Sequence, residues 1–150
     1  YWNDTSPAST LFTVGTSVAT NKDESTYIAY CFAKTSGLIG IGKYVGNGSA
    51  DGTYVAIDDG ASGFRPAWLM IKNLAAGNWF IYDNQRNPHN VVNEYLIADG
   101  NAAAATSGPV QCDFLSNGFK LRSTNDGTNS GTYVYLAFAE SPFSSNNRAR

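Results

Sequence analysis

Apolar and polar residues alternate at a period of two in short runs along this chain, and glycine- and asparagine-rich stretches separate the runs. That pattern predicts strands and turns. The two strongest runs are near-copies 106 positions apart, Thr26-Tyr27-Ile28-Ala29-Tyr30-Cys31-Phe32-Ala33 and Thr132-Tyr133-Val134-Tyr135-Leu136-Ala137-Phe138-Ala139. The first sets Ile28, Tyr30 and Phe32 on one face against Tyr27, Ala29, Cys31 and Ala33 on the other. The second sets Val134, Leu136 and Phe138 against Tyr133, Tyr135, Ala137 and Ala139. Both faces of each are largely apolar, so both strands are expected to be covered on two sides. The expectation is a paired central spine that joins the N- and C-terminal parts of one sandwich.

Further strands fill the interval. Leu11 to Val14 alternates weakly before a polar stretch and predicts a hairpin into the first repeat strand. Leu38 to Val45 is apolar but interrupted by Gly40 and Gly42, which points to a bulge or a close backbone approach. Thr53 to Ile57 resumes as a strand after the turn Gly46 to Gly52. Ala67 to Lys72 and Asn78 to Tyr82 predict a hairpin around Asn73 to Gly77, with aromatic residues placed for cross-strand contact. Asp83 to Thr106 is the longest irregular region, with room for one short helical turn. Val110 to Leu115 and Phe119 to Arg122 flank Ser116-Asn117-Gly118, where Asn-Gly predicts a type I′ turn. About nine short strands without a long amphipathic helix predict an all-β, two-layer antiparallel β-sandwich of jelly-roll or lectin-like type. The expected organisation is a single domain over residues 1–143 followed by a polar tail over 144–150, cut from a longer polypeptide because the chain opens abruptly at Tyr1-Trp2.

Composition narrows the function classes. Only 15% of the residues are charged and 13% are aromatic, so Asn, Ser, Thr and Gly must finish the surface, as in extracellular and virion β proteins. A net charge of -2 with scattered Lys and Arg gives no basic stripe, which argues against a nucleic-acid partner. No run is long enough for membrane insertion as a helix. Cys31 and Cys112 both fall in predicted strands without metal-type spacing and read as buried free thiols, one disulfide being the alternative.

Candidate chemistry is sparse. His89 is the only histidine, it lies in a polar loop, and no nucleophile elbow accompanies it. Glu24, Glu94 and Glu140 stand in unrelated contexts and give no acid pair for glycoside hydrolysis, so no catalytic residue is assigned and no enzyme is expected. Asp58-Asp59-Gly60 and Asn125-Asp126-Gly127 cluster hard oxygen donors of the kind calcium takes. Neither has the spacing of a calcium loop, and turn chemistry accounts for both, so no metal or cofactor is assigned. Asn3-Asp4-Thr5 and Asn47-Gly48-Ser49 fit the glycosylation acceptor pattern, which arises easily in an asparagine-rich chain.

One segment has the ingredients of a sugar site, in which an aromatic face stacks on the ring and planar polar groups meet the hydroxyls. Trp79, Tyr82, Asp83, Asn84 and Arg86 lie within eight residues and are the candidate glycan-binding set. The competing arrangement pairs Trp79 with Trp68 in the core and makes Asp83 and Arg86 a local ion pair that closes a turn.

Taken with Tyr1 to Pro7, several motifs carry a resemblance in order along nearly the whole chain: Tyr30-Cys31-Phe32-Ala33, Gly46-Asn47-Gly48, Gly63-Phe64-Arg65-Pro66-Ala67-Trp68, Trp79-Phe80-Ile81-Tyr82-Asp83, Phe114 to Arg122 and Tyr135 to Ala139. Together they resemble a domain of structural proteins of marine tailed phages, one that often stands beside lectin-like domains of concanavalin or laminin-G type in tail-fibre and appendage polypeptides. The resemblance implies a non-enzymatic virion-surface module for assembly and host attachment, partnered by copies of itself or by other fibre proteins. The alternative is a carbohydrate-binding module that recognises host surface glycans.

Overall fold

In the computed structural model, residues 3–142 are described, so the expected tail over 144–150 lies outside them. The chain falls into two compact units, residues 1–31 and 32–150. All eight strands belong to the second unit: β1 Ile39–Val45, β2 Tyr54–Ala56, β3 Pro66–Asn73, β4 Trp79–Asp83, β5 Leu96–Ile97, β6 Cys112–Leu115, β7 Gly118–Leu121 and β8 Thr132–Ala139. They form two antiparallel sheets, one of five strands in the order β1-β8-β3-β4-β5 and one of three in the order β2-β7-β6. The all-β, two-sheet architecture is therefore as expected, with eight strands among the described residues in place of nine.

The first unit contains one short helix, α1 Val18–Asn21, where the sequence predicts a hairpin. Ser17 explains it, because its hydroxyl accepts from the Ala19 N–H and its carbonyl accepts from Thr20 and Asn21. The Tyr27 hydroxyl ties the same turn together, donating to the Val18 carbonyl at 3.0 Å and accepting from the Lys22 N–H at 2.9 Å.

The repeat expectation fails for its first copy. Thr132–Ala139 is the central strand β8, but Thr26–Ala33 forms no strand, and Ile28 and Tyr30 are 79% and 82% exposed. A strand needs a free ladder, and the edge of β1 away from β8 is already taken. There Ile39 and Thr35 bond reciprocally, the Ile41 N–H donates to the Asp58 carbonyl, and the Thr53 hydroxyl donates to the Val45 carbonyl. Both cysteines are free, but only Cys112 is buried; Cys31 is exposed because its segment is not a strand. Burial, and secondarily the Asp113 charge, raises the Cys112 pKa far above its usual range, so that thiol stays protonated.

Between the sheets of the second unit lies one apolar core. The five-stranded sheet contributes Tyr44, Leu69, Ile71, Phe80, Tyr82, Tyr133, Tyr135 and Ala137, and the smaller sheet contributes Val55, Cys112, Phe114, Phe119 and Leu121. Aromatic edges join the layers: Phe119 meets Tyr44 at 5.7 Å and Tyr135 at 5.4 Å between ring centroids, both near perpendicular. The glycines of β1 serve this packing, since a Cβ on Gly42 would lie 2.7 Å from the Tyr135 hydroxyl. Close approach, the second of the two expectations for this strand, is what the fold uses.

The β6–β7 hairpin is present, with Leu115 opposite Gly118 across a two-residue loop. Its turn is not type I′, which needs positive φ at Ser116 and Asn117; among the described residues the non-glycine positions with positive φ are Asp4, Glu24 and Ser107. Gly118 has a different reason to be glycine, because a Cβ there would sit 2.1 Å from the Val55 carbonyl oxygen of β2.

The acidic loops are closed by protein donors. Asp59 is buried and accepts from the backbone N–H groups of Gly37, Ala61 and Gly63. Desolvation raises its pKa, but these N–H donors outweigh that and hold it below the usual 3.8. A hydrogen bond from Lys34 lowers that of Asp58, and one from Lys120 lowers that of Asp51. In Asn125-Asp126-Gly127, the Asn125 side chain accepts from Gly127 and the Asp126 carbonyl accepts from Asn73. Protein donors thus meet the side-chain oxygens of Asp58, Asp59 and Asn125, and among the described residues no group of three or more His, Cys, Asp or Glu is placed to hold a metal ion.

A pH dependence follows. The folded pKa values of Asp51, Asp58 and Asp59 lie below the unfolded value of 3.8, so their stabilisation is complete above about pH 5 and is lost as the pH falls through 3.8 and then through the folded values. Chemical denaturation between about pH 7 and pH 2 should give a midpoint that is flat down to about pH 5 and then drops. In Asp59→Asn the drop should be smaller. An equally steep drop in that variant would remove Asp59 from the explanation.

Candidate functional site

The outer face of the five-stranded sheet is the most distinctive surface of the second unit. Period-two alternation turns Tyr44, Ile71, Phe80 and Tyr135 into the core and their neighbours outward. Register then aligns the outward residues in rows. Ile41, Leu136, Met70, Ile81 and Leu96 are successive cross-strand partners and make one apolar row across all five strands. On one side of it run Lys43, Val134, Lys72 and Trp79; on the other run Ile39, Phe138, Trp68 and Asp83.

Two recesses lie on this face. The first, of about 230 Å³, is formed by Ile41, Met70, Lys72, Val134 and Leu136 with Phe32 and Trp79 beside them. Phe32, 48% exposed, stands over the opposite end of β8 with its ring edge-on to Phe138 at 5.7 Å. The second recess, of about 540 Å³, is bounded by Trp68, Ile81, Asp83, Gln85, Arg86 and Leu96.

The expected glycan set divides on this geometry. Asp83 and Arg86 line the second recess as an ion pair, with Asp83 also accepting from the backbone N–H groups of Gln85 and Arg86. The local pair that closes a turn, expected as the competing arrangement, is thus formed. Asn84 lies beside them, its amide donating to Glu140 at 2.8 Å, while Glu140 also pairs with Arg65 at 3.0 Å. Tyr82 faces the core with 0% exposure, so a ligand on this face does not reach it. Trp79 is 38% exposed and opposes Lys72, four residues along β4 from Asp83 and in the other recess. At about 3.3 Å per residue, that puts them roughly 13 Å apart.

The aromatic group that does stand beside Asp83 is Trp68, its cross-strand partner. Trp68 packs on Phe138 at 5.3 Å between centroids, which fixes its indole against the sheet. The two tryptophans therefore do not pair in the core. Trp68 was recoverable from the sequence, because the hairpin that sets Lys72 opposite Trp79 also sets Trp68 opposite Asp83. His89 is exposed in a loop, and Asn90 next to it uses its amide to bond both the N–H and the carbonyl of Phe114, pairing with β6 from the side. Among the described residues no helix is long and apolar enough to cross a membrane.

Fold and surface together define an all-β module of two antiparallel sheets with an apolar outer face on the larger one. The chain belongs to the family described as "Domain of unknown function (DUF7483)", which matches residues 1–142. No curated protein and no solved structure matches it.

Proposed function

We propose that this chain is a non-enzymatic structural module of a phage tail fibre or surface appendage, which mediates assembly and attachment to the host surface. The observation that carries the reading is the apolar row from Ile41 to Leu96, continuous over five strands and flanked by Trp68, Phe138 and Trp79. A sheet face of this kind gains by being covered, whereas a solvated face carries polar residues at alternate positions. The order of motifs shared with tailed-phage appendage domains supports the same reading. Its test is competition: host cells preincubated with the purified chain should adsorb fewer phage particles. Adsorption unchanged at saturating chain would remove host attachment from the role.

A second reading, carbohydrate binding, is favoured by the recess that sets the Trp68 indole beside the Asp83–Arg86 pair. On a glycan array, Trp68→Ala should lower any signal about fivefold, since stacking of a ring on an aromatic face is worth about 1 kcal/mol. Trp79→Ala should leave the signal unchanged. Silence of the unmutated chain on the array, or loss through Trp79 alone, would count against this recess.

A further inference from the structure

We infer that the outer face of the five-stranded sheet is a homotypic interface, covered by the same face of a second copy related by a two-fold axis along the central apolar row. The inference rests on the assembly reading above and names its partner. The argument is self-complementarity. Rotation by 180° about an axis that follows the row from Ile41 to Leu96 lays each row residue over its own counterpart, Met70 over Met70, and exchanges the two flanking rows.

That exchange is chemically matched on β3. Lys72 comes over the indole of the partner's Trp68, because both lie on β3 at equal distances from Met70. The two-fold axis makes this contact twice, each time bringing a cation to an indole. Trp79 comes over the partner's Asp83, whose carboxylate is paired with Arg86. The relief matches as well: Phe32 stands as a half-exposed knob over the Phe138 end of β8, and the exchange carries it over the partner's Val134, a wall of the 230 Å³ recess. Knob enters hole twice, once in each direction. Packed sheets lie about 10 Å apart, room for one interdigitated layer of these side chains.

Size sets the strength. Five strands at about 4.8 Å and five residues at about 3.3 Å give a patch near 20 Å by 17 Å, small beside the roughly 800 Å² per partner of a standard interface. The pair is therefore weak in free solution and is strengthened when neighbouring copies are held together in an appendage.

Sedimentation of the full chain over about 10 µM to 1 mM, where a weak interface of this size should register, is the first test. Its mean mass should rise from 16.1 kDa towards twice that value. Leu136→Lys should shift the midpoint of association at least about tenfold upward, since it buries a charge at the axis. In a Cys31→Ser background, Met70→Cys should give a covalently linked pair with a short thiol-reactive bifunctional reagent that spans the roughly 10 Å between packed sheets, too far for a direct disulfide, and Tyr54→Cys, on the other sheet, should not. A chain that stays at 16.1 kDa throughout, or Tyr54→Cys that cross-links as fast as Met70→Cys, overturns the interface. A pair formed through Met70, with normal particles from Leu136→Lys, upholds the interface while removing its assembly role. A monomer whose competition with phage is intact overturns the interface and leaves the attachment reading standing.

Discussion

Asn129→Ala should lower the free energy of unfolding by roughly 3 kcal/mol, the combined effect of losing the four hydrogen bonds of a buried amide. Asn129 is wholly buried, yet its amide is fully used. Its Nδ2 donates to the Ser49 carbonyl at 2.8 Å, the Ser123 carbonyl at 2.7 Å and the Asn47 side chain at 3.2 Å, while its Oδ1 accepts from the Asn47 N–H at 3.3 Å. These bonds fasten the turn after β1 to the loop before β8. Alanine removes all four bonds at once and leaves a space lined by the Ser49 and Ser123 carbonyls. Urea denaturation should show a lower midpoint with an unchanged slope, the pattern of lost stability without a changed unfolded state. A loss below about 1 kcal/mol would mean that water substitutes for the amide, and that the two loops do not depend on this residue.

The second large effect is expected at Gly118. A Cβ there would lie 2.1 Å from the Val55 carbonyl oxygen and 3.1 Å from the Ala56 Cα, so Gly118→Ala must push β2 away from β7. Both neighbours are backbone, which yields less readily than a side chain, and the expected loss is about 3 kcal/mol, at the upper end for overpacking. Asn117→Ala, one residue earlier, is the informative contrast. Asn117 is exposed and lacks positive φ, so alanine should change stability by less than about 0.5 kcal/mol. A loss of about 1 kcal/mol or more at Asn117 would instead speak for a type I′ turn, because alanine at a positive-φ position is itself strained.

That contrast illustrates what the sequence does and does not disclose. Asn117-Gly118 correctly locates a hairpin, because the flanking apolar runs alternate and two residues suffice to connect antiparallel strands. The reason for the glycine is nonlocal, since it is set by a strand sixty residues earlier in the chain. The repeat is a stronger case. Thr26–Ala33 and Thr132–Ala139 have nearly the same local propensity, but β8 has a ladder on both sides, supplied by β1 and β3, whereas the outer edge of β1 is filled by Thr35, Thr53 and Asp58. Propensity sets what a segment can do, and available partners decide whether it does so.

The candidate site was legible in the same partial way. Asp83 and Arg86 are three residues apart in a turn, so their meeting is local. Period two places Trp79 and Asp83 on one face and Tyr82 on the other, which already separates Tyr82 from any ligand there. Distance along the strand removes Trp79 from that recess, and cross-strand register supplies Trp68 instead. The apolar row is harder to read, because its five residues come from five strands and no single stretch of sequence contains it.

The central proposal is that this module belongs to a virion surface appendage, and the most direct measurement is immunogold labelling of purified phage particles with antibody against the folded chain. The account predicts gold on the fibres or appendages of intact particles. Labelling confined to the host-cell fraction, with particles bare, would contradict it.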